Sequence, residues 1–355
     1  MYKAKKALAA YLEQVEKNDL ASRCHLSGNG AVESFEAKLK DFYGVKHALC
    51  VDSATNGFLY LALAVGLKNT EIITSPLSYG ATISGALWLN CKFHFADIDN
   101  TLNLSPDAVR KILTENPRIK ALYAVDFGGI PHDMFSIRRI CDEFDILYFS
   151  DAAQSLGAEI QGEKASSLAD AFVVSFSPGK TIFCGENGCI LTDDTDLYKQ
   201  LVIITQHPYR MKRDVGIDAY SELGLNGRMN PLAAVIGDAT FYDCLQNLKS
   251  TQEEMLKLFG EIDTFHSVIP FHFLEKTCLP AFYYLSVLVN DVQEFEVEFN
   301  HLTKKLGKNF HFQKADFKLL PEQLKRIGKS KSVKHKDIYS TNSILGKLFL
   351  LHPKK

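Results

Sequence analysis

The chain has no long apolar segment, no excess of one charge and no clustered cysteines. Its 355 residues include no run near the roughly 18 consecutive apolar residues that a membrane-spanning helix needs. A formal net charge of −2 gives no support to a general nucleic-acid binder. None of the eight cysteines forms a C-x-x-C pair, so no zinc site is indicated. What the sequence does contain is 46% hydrophobic residues, which excludes a mainly disordered chain.

The N-terminal segment predicts an amphipathic helix rather than an export signal. Acidic residues at Glu13, Glu16 and Asp19 follow closely behind its short apolar patch, where a signal peptide has none. Without an export signal, we interpret the cysteines as reduced, mostly buried thiols of a cytoplasmic protein. The length suggests two domains, an N-terminal arm with a large domain over residues 1–235 and a smaller domain over residues 236–355.

Short β-rich runs alternate with helical stretches from about residue 48 to residue 191. The predicted strands are HALCV at 47–51, EIITS at 71–75, KFHFADI at 92–98, KALYAVD at 120–126, ILYFS at 146–150, and the runs at 170–176 and 189–192. Nearly continuous apolar strands separated by helices indicate an α/β protein with a mostly parallel sheet covered on both faces. After about residue 232 the pattern changes to a long helix over 231–259, a strand over 282–291 and a Lys-rich stretch over 325–336, which indicates a smaller α+β region.

Small hydroxyl residues follow the first predicted strand. Asp52-Ser53-Ala54-Thr55-Asn56-Gly57 stands where a helix begins, at the carboxyl end of a strand. Free backbone N–H groups, two hydroxyls and the positive end of the helix dipole suit a phosphate. The alternative is that Ser53 or Thr55 only caps the helix.

Three further residues and one turn follow other strands of the same sheet. Tyr79 can stack on a flat ring or belong to the core. Asp151 ends a buried strand and needs a partner to stay ionised, unless it only caps the turn. Lys180 lies in a Gly- and Pro-bearing turn, where a partly desolvated lysine can attack a carbonyl, although most lysines are solvated. The segment 224–230 either adds to this site or simply starts the long helix.

A phosphate cup, a stacking aromatic, a buried acid and a lysine together describe a site for pyridoxal phosphate.

These segments resemble the DegT/DnrJ/EryC1/StrS family of sugar aminotransferases, which are fold-type I pyridoxal-phosphate enzymes. Over roughly residues 28–240 the matching segments are GNGAVESFEAKLKDFYGVKHALCVDSAT, SPLSYGAT, ADID, DFGGIPHDM, DAAQSLGA, SFSPGKTIFCGENGCILT and GLNGRMNPLAA, in the order of the family. The combination of DAAQ, SFxxxK and GxNxRM is specific. The resemblance implies a fold-type I PLP transferase that moves an amino group from glutamate or glutamine to a ketone, as a homodimer with shared active sites.

The resemblance implies a role for each matching residue. Lys180 would form the Schiff base with the cofactor and carry the proton, and Asp151 would hold the pyridine nitrogen protonated. Gln154 would lie beside the 3-oxygen of the ring, and Tyr79 would stack on it. The implied phosphate ligands are the backbone N–H of Ala54, the side chains of Thr55 and Ser175, and, from the second subunit, Asn226.

The sequence also departs from the family pattern. Ala54 replaces the glycine of the usual SGT, Asn187 interrupts the usual GEGG, and the tyrosine and histidine motif of the family's substrate pocket is not found. A nucleotide-linked ketosugar is the family default, while a free sugar, a cyclitol or an unrelated ketone stays open. Two other functions stay open, namely another PLP reaction such as dehydration, and a non-catalytic PLP-binding regulator. Family dehydratases replace the lysine by histidine, so Lys180 favours the aminotransferase.

The Lys-rich stretch at 325–336 is interpreted as a solvated basic segment. The alternative is that it helps to attract a diphosphate substrate. We expect no nucleic-acid or membrane partner and no metal.

Overall fold

The computed structural model describes residues 2–17, 25–219, 223–269, 277–306, 311–315, 318–336, 341 and 347–352. None of the helices in these ranges is long and apolar enough to cross a membrane. The predicted N-terminal helix is confirmed over Tyr2–Glu16, while Asp19 and Cys24 lie outside the described residues. The described cysteines are free, and all except Cys244 and Cys278 are buried.

The strands in the described ranges carry labels in chain order. They are β1 His47–Val51, β2 Glu71–Thr74, β3 Lys92–Phe95, β4 Ile119–Val125, β5 Leu147–Asp151, β6 Glu159–Ile160, β7 Glu163–Lys164, β8 Ala171–Ser175, β9 Gly188–Thr192, β10 Val268–Ile269, β11 Cys278–Leu279, β12 Leu285–Val289, β13 His311–Lys314, β14 Val333–Lys336 and β15 Leu348–His352.

The helices are labelled in the same way. They are α1 Tyr2–Glu16, α2 Ala31–Tyr43, α3 Ala54–Ala64, α4 Ala81–Trp88, α5 Pro106–Glu115, α6 Met134–Glu143, α7 Thr195–Thr205, α8 Pro208–Val215, α9 Pro231–Ile262, α10 Val292–Leu306 and α11 Leu320–Arg326.

The large sheet has the strand order β1-β9-β8-β5-β4-β2-β3-β14. Its strands pair in parallel except at β9, which runs antiparallel to both β1 and β8. The loop from Phe176 to Asn187 that joins β8 to β9 contains no helix, whereas a parallel return usually needs a helical crossover. The predicted α/β class with a mostly parallel sheet covered by helices is confirmed.

Helix starts in the large domain follow their capping residues. Ser105 accepts a hydrogen bond from the N–H of Ala108 at 3.4 Å and begins α5 at Pro106. Asn230 accepts from the N–H of Leu232 at 2.9 Å and begins α9. Because helices connect successive parallel strands, the carboxyl ends of β2, β4, β5 and β8 meet at one edge of the sheet.

Residues after 235 contribute to three sheets, one of which is the small antiparallel sheet β11-β6-β7. Strands β10, β12, β15 and β13 form a separate antiparallel sheet in that order. The basic strand β14 instead pairs in parallel with β3 and extends the large sheet. Residue 235 itself lies inside α9, which continues to Ile262. Within the Lys-rich stretch, Lys325 is exposed as expected, while Lys329 lies 5.0 Å from the ring of Trp88.

Candidate active site

Asp151 is a buried carboxylate at the carboxyl end of β5. Its Oδ2 atom accepts a hydrogen bond from the Thr82 hydroxyl at 2.5 Å, and its Oδ1 atom accepts from the N–H of Ala153 at 3.0 Å. Burial raises the pKa of Asp151, and these hydrogen bonds and the charge of Lys180 offset only part of that rise. Asp151 therefore caps the following turn, as the alternative interpretation expected, and its surroundings offset only part of the cost of burying its charge.

Lys180 lies in the turn between β8 and β9, close enough for its charge to act on Asp151. Its Nζ atom is 4.2 Å from the centre of the Tyr283 ring, within the range of a cation–π contact. Tyr283 packs against Tyr284 with their ring centres 4.5 Å apart. The C-terminal part of the chain thus reaches the predicted catalytic lysine just before β12.

Gln154 lies one turn after Asp151. Its Oε1 atom accepts a hydrogen bond from the N–H of Gly128 at 2.7 Å, which leaves Nε2 as the donor of this side chain. Gly129 has a φ of 83°, and a Cβ there would come within 2.6 Å of the Gln154 carbonyl oxygen. The Gly128-Gly129 turn also binds the Tyr283 region, since the N–H of Tyr284 donates to the Gly128 carbonyl at 3.1 Å. Only glycine permits this close packing.

The predicted phosphate cup lies at the N-terminus of α3. Ser53 caps the helix, because its hydroxyl accepts from the N–H of Asn56 at 3.1 Å. A Cβ at Gly188 would lie 2.7 Å from the backbone nitrogen of Ala54, so the first turn of α3 sits directly on β9. Gly188 is also the cross-strand partner of Ser175. The fold therefore brings Ala54 and Ser175 to the same corner, with Thr55 half-buried beside Ala54.

Asn226 lies near the same corner in its own chain. The neighbouring carbonyl of Gly227 accepts from the N–H of Asp52 at 3.0 Å, and Arg228 bridges to Val51 at the end of β1. Asn226 itself is exposed and has a φ of 52°, so its turn holds it in a left-handed conformation. The Asn226 side chain is therefore accessible to a group from a second subunit, as the predicted shared site requires.

Tyr79 belongs to the loop that precedes α4. Its side chain is 76% exposed, which excludes the core alternative for this residue. The loop is linked to Asp151, because Ser78 bonds the hydroxyl of Thr82 at 2.6 Å and Thr82 bonds Asp151. An exposed aromatic ring beside a buried acid suits stacking on a flat ligand.

These residues fit pyridoxal phosphate. A protonated ring nitrogen would compensate the buried charge of Asp151, which the protein alone leaves with a raised pKa. The Nε2 donor of Gln154 suits an anionic ring oxygen. The N-terminus of α3 at Ala54 suits a phosphate group. It packs directly against Gly188, where a Cβ would lie too close to the backbone nitrogen of Ala54.

Three residues at the site were missed from the sequence. Thr82 belongs to the SPLSYGAT segment, but the segment gives no sign that its hydroxyl reaches Asp151. Tyr283 and Tyr284 stand at the start of a predicted strand, and no local pattern links them to Lys180. These contacts join distant parts of the chain, so only the fold reveals them.

Comparison with known proteins identifies relatives over most of the chain. The model of the DegT/DnrJ/EryC1/StrS aminotransferase family matches residues 5–352. A UDP-4-amino-4,6-dideoxy-N-acetyl-beta-L-altrosamine transaminase of Campylobacter jejuni is 32% identical over 229 residues, which are 64% of this chain and 61% of the relative. A UDP-2-acetamido-2-deoxy-3-oxo-D-glucuronate aminotransferase of Pseudomonas aeruginosa is 31% identical over 58% of this chain and 56% of the relative. The chain thus spans about three fifths of the curated relatives that it matches.

Similarity of fold extends further than similarity of sequence. PseC of Helicobacter pylori, an aminotransferase involved in the biosynthesis of pseudoaminic acid, superposes with a TM-score of 0.80 over 98% of this chain and 90% of that chain, at 24% identity. DesI, solved in the presence of its TDP-sugar product, gives a TM-score of 0.75 over 98% of this chain and 85% of that chain, at 25% identity. Because the family model covers almost the whole sequence, the protein belongs to the DegT/DnrJ/EryC1/StrS aminotransferase family.

Proposed function

We propose that the protein is a PLP-dependent aminotransferase that transfers an amino group from glutamate or glutamine to the ketone of a nucleotide-linked ketosugar. The observation that carries the proposal is the meeting of Asp151 and Lys180 at the carboxyl edge of the sheet. The ketosugar is supported by the names of the relatives, which are transaminases of UDP-linked sugars.

The proposed chemistry divides between cofactor and protein. When bound, pyridoxal phosphate supplies an electron sink for the carbanion at the substrate carbon. Lys180 would carry the proton on Nζ, and Asp151 would hold the ring nitrogen protonated through its buried charge. Gln154 would donate from Nε2 to the ring oxygen, and Tyr79 would cover one face of the ring. Ala54, Thr55 and Ser175 would bind the phosphate.

The amino-donor half of the reaction tests the proposal without knowledge of the ketone. Holoprotein mixed with glutamate or glutamine alone should release up to one equivalent of the corresponding oxo acid per subunit. Lys180→Ala should release none, because no proton carrier remains at the site. If wild-type holoprotein releases no oxo acid from either donor, the aminotransferase proposal is wrong. Release by Lys180→Ala at the wild-type rate would refute the role of Lys180.

We further propose a homodimer in which Asn226 binds the cofactor phosphate of the second subunit. Its exposed side chain and left-handed turn support this arrangement. Mixing inactive Lys180→Ala protein with Asn226→Asp protein would create mixed dimers, in which one site carries both defects and the other carries neither. Activity should return, up to about one wild-type site per mixed dimer. If subunits exchange and no activity returns, Asn226 acts within its own chain or only shapes the turn.

A further inference from the structure

A chain of hydroxyl groups leads from the Tyr79 loop to Asp151. The Ser78 and Thr82 side-chain oxygens are 2.6 Å apart, and the Thr82 oxygen is 2.5 Å from Oδ2 of Asp151. Thr82 has no solvent-exposed surface, and Asp151 is buried with it. The chain joins α4 to the end of β5, two elements that are not neighbours in sequence.

The direction of these hydrogen bonds follows from the number of hydrogens that each group can donate. An ionised carboxylate only accepts, so the single hydroxyl hydrogen of Thr82 points to Asp151. In the 2.6 Å contact between the two hydroxyls, the Thr82 oxygen therefore accepts and Ser78 donates, while the Tyr79 carbonyl oxygen is a more distant acceptor for Ser78 at 3.3 Å. Each hydroxyl that donates along such a chain polarises the next, and the bond to the charged group is strengthened. Thr82 is thus a fixed donor aimed at one oxygen of the acid.

We propose that Thr82, supported by Ser78, is a positioning residue that keeps Asp151 ionised and correctly oriented to bind the protonated ring nitrogen of the cofactor. This inference rests on the proposed function. Thr82 touches neither cofactor nor substrate in this role and acts only through Asp151. A valine at position 82 has nearly the same shape but no donor, so the buried acid would lose one of its two hydrogen-bond donors. The acid would then favour its neutral form, which attracts the ring nitrogen less.

The test compares two ligands that differ only at the ring nitrogen. Pyridoxal phosphate and its 1-deaza analogue, which has carbon in place of that nitrogen, are titrated separately into the apoprotein by absorbance. Wild type should bind pyridoxal phosphate more tightly than the analogue. Thr82→Val should reduce that preference by about tenfold, the effect of losing about one hydrogen bond to a charged group. Binding of the analogue itself should change little, because the analogue makes no bond that depends on the charge of Asp151.

Control variants separate positioning from packing. Thr82→Ser keeps the hydroxyl and should restore the wild-type preference. Ser78→Ala leaves Thr82 in place and should reduce the preference by about two- to threefold, which also tests the relay if Thr82→Val does not fold. Equal weakening of both ligands by Thr82→Val would mean that Thr82 only packs, and would overturn the proposal.

Asp151→Asn distinguishes failure of this inference from failure of the proposed function. If Asp151→Asn abolishes the preference and the folded Thr82 and Ser78 variants keep it, the relay is wrong while the role of Asp151 stands. If wild type shows no preference at all, Asp151 does not bind the ring nitrogen, and both the relay and that part of the proposed function are wrong.

Discussion

Two acids end neighbouring strands at the same edge of the sheet, yet their surroundings differ in kind. Asp126 follows β4, and its backbone N–H donates to the carbonyl of Asp151 at 3.2 Å. Its Oδ2 atom accepts from Ser155 at 2.6 Å and Ser166 at 2.7 Å, and its Oδ1 atom meets Nδ1 of His132 at 2.6 Å. Among the residues that the structure describes, Asp151 accepts from the Thr82 hydroxyl and from the N–H of Ala153.

The difference appears in the proton affinities of the two acids. Burial pushes the pKa of Asp126 upward, but the charge of His132 and the side-chain hydrogen bonds from His132, Ser155 and Ser166 outweigh it, so its pKa lies below the usual value. Burial prevails at Asp151, whose pKa is raised. Asp126 is satisfied within the protein, whereas Asp151 gains from a cationic ligand. Equal positions on adjacent strands thus differ in how far the protein itself compensates the charge of the acid.

The largest contrast should come from neutralising each acid in turn. Asp151→Asn should fold normally and lose activity on the order of 10²–10⁴-fold, the range for a positioned acid–base group. The apoprotein should be at least as stable as wild type at pH 7, because a buried and under-compensated charge is removed. Steady-state kinetics and urea unfolding measure the two quantities. Near-normal turnover would mean that Asp151 only caps its turn.

Asp126→Asn should show the opposite pattern. It replaces one carboxylate oxygen by a donating amide, so either the two serines or His132 lose their acceptor, and the free energy of unfolding should fall by about 3 kcal/mol at pH 7. The folded fraction should keep most of its turnover, since Asp126 bonds its neighbours rather than the ligand site. Urea unfolding of the apoprotein, with turnover expressed per folded molecule, checks both. A stable but inactive variant would contradict the division between the two acids.

Acid should affect the two variants with opposite sign. The folded pKa of Asp126 is below its unfolded value near 4, so its stabilisation is present above about pH 4 and lost as the pH falls through the folded value. The folded pKa of Asp151 is above its unfolded value. The destabilisation that its charge causes at neutral pH is therefore lost as the pH falls through the folded pKa. The difference in unfolding free energy between wild type and Asp126→Asn should therefore become smaller as the pH falls from 7 to 3. Parallel curves for the wild type and Asp126→Asn would refute this account.

The smallest effect concerns the corner that holds the predicted phosphate. Gly188→Ala would place a Cβ 2.7 Å from the backbone nitrogen of Ala54, so stability should fall by about 1–3 kcal/mol and cofactor affinity with it. Gly260→Ala is a matched control, because a Cβ at this position in α9 meets nothing within 4 Å. Calorimetric melting and cofactor titration compare the two. If Gly188→Ala and Gly260→Ala have the same melting temperature and the same cofactor affinity, the first turn of α3 tolerates displacement by the added Cβ.

The sequence predicts the parts of this account that depend on local pattern. Strand ends place Asp151 at an edge of the sheet, and the turn around Lys180 marks a lysine between buried strands. The strong apolar runs of β4, β5, β8 and β9 predict the sheet itself. The resemblance to the family adds the role of each residue. These features can be predicted from the sequence because each depends on residues that are close in sequence.

Contacts between distant segments could not be predicted in the same way. The hydroxyl of Thr82 meets Asp151 only after β2 and β5 have joined one sheet, and Tyr283 reaches Lys180 only through the turn at Gly128. Strand β14 is a further case, because Val-Lys-His-Lys has the composition of a solvated segment. Its pairing with β3 uses backbone hydrogen bonds at an open sheet edge, which leave no mark in the side-chain pattern.

The central claim is that Lys180 and Asp151 form one cofactor site, and covalent trapping tests it most directly. Protein saturated with pyridoxal phosphate is reduced with borohydride, digested and mapped by mass spectrometry. The account predicts that the reduced cofactor is attached to Lys180, the lysine whose charge acts on Asp151. Attachment to another lysine, or none at saturating cofactor, would contradict it.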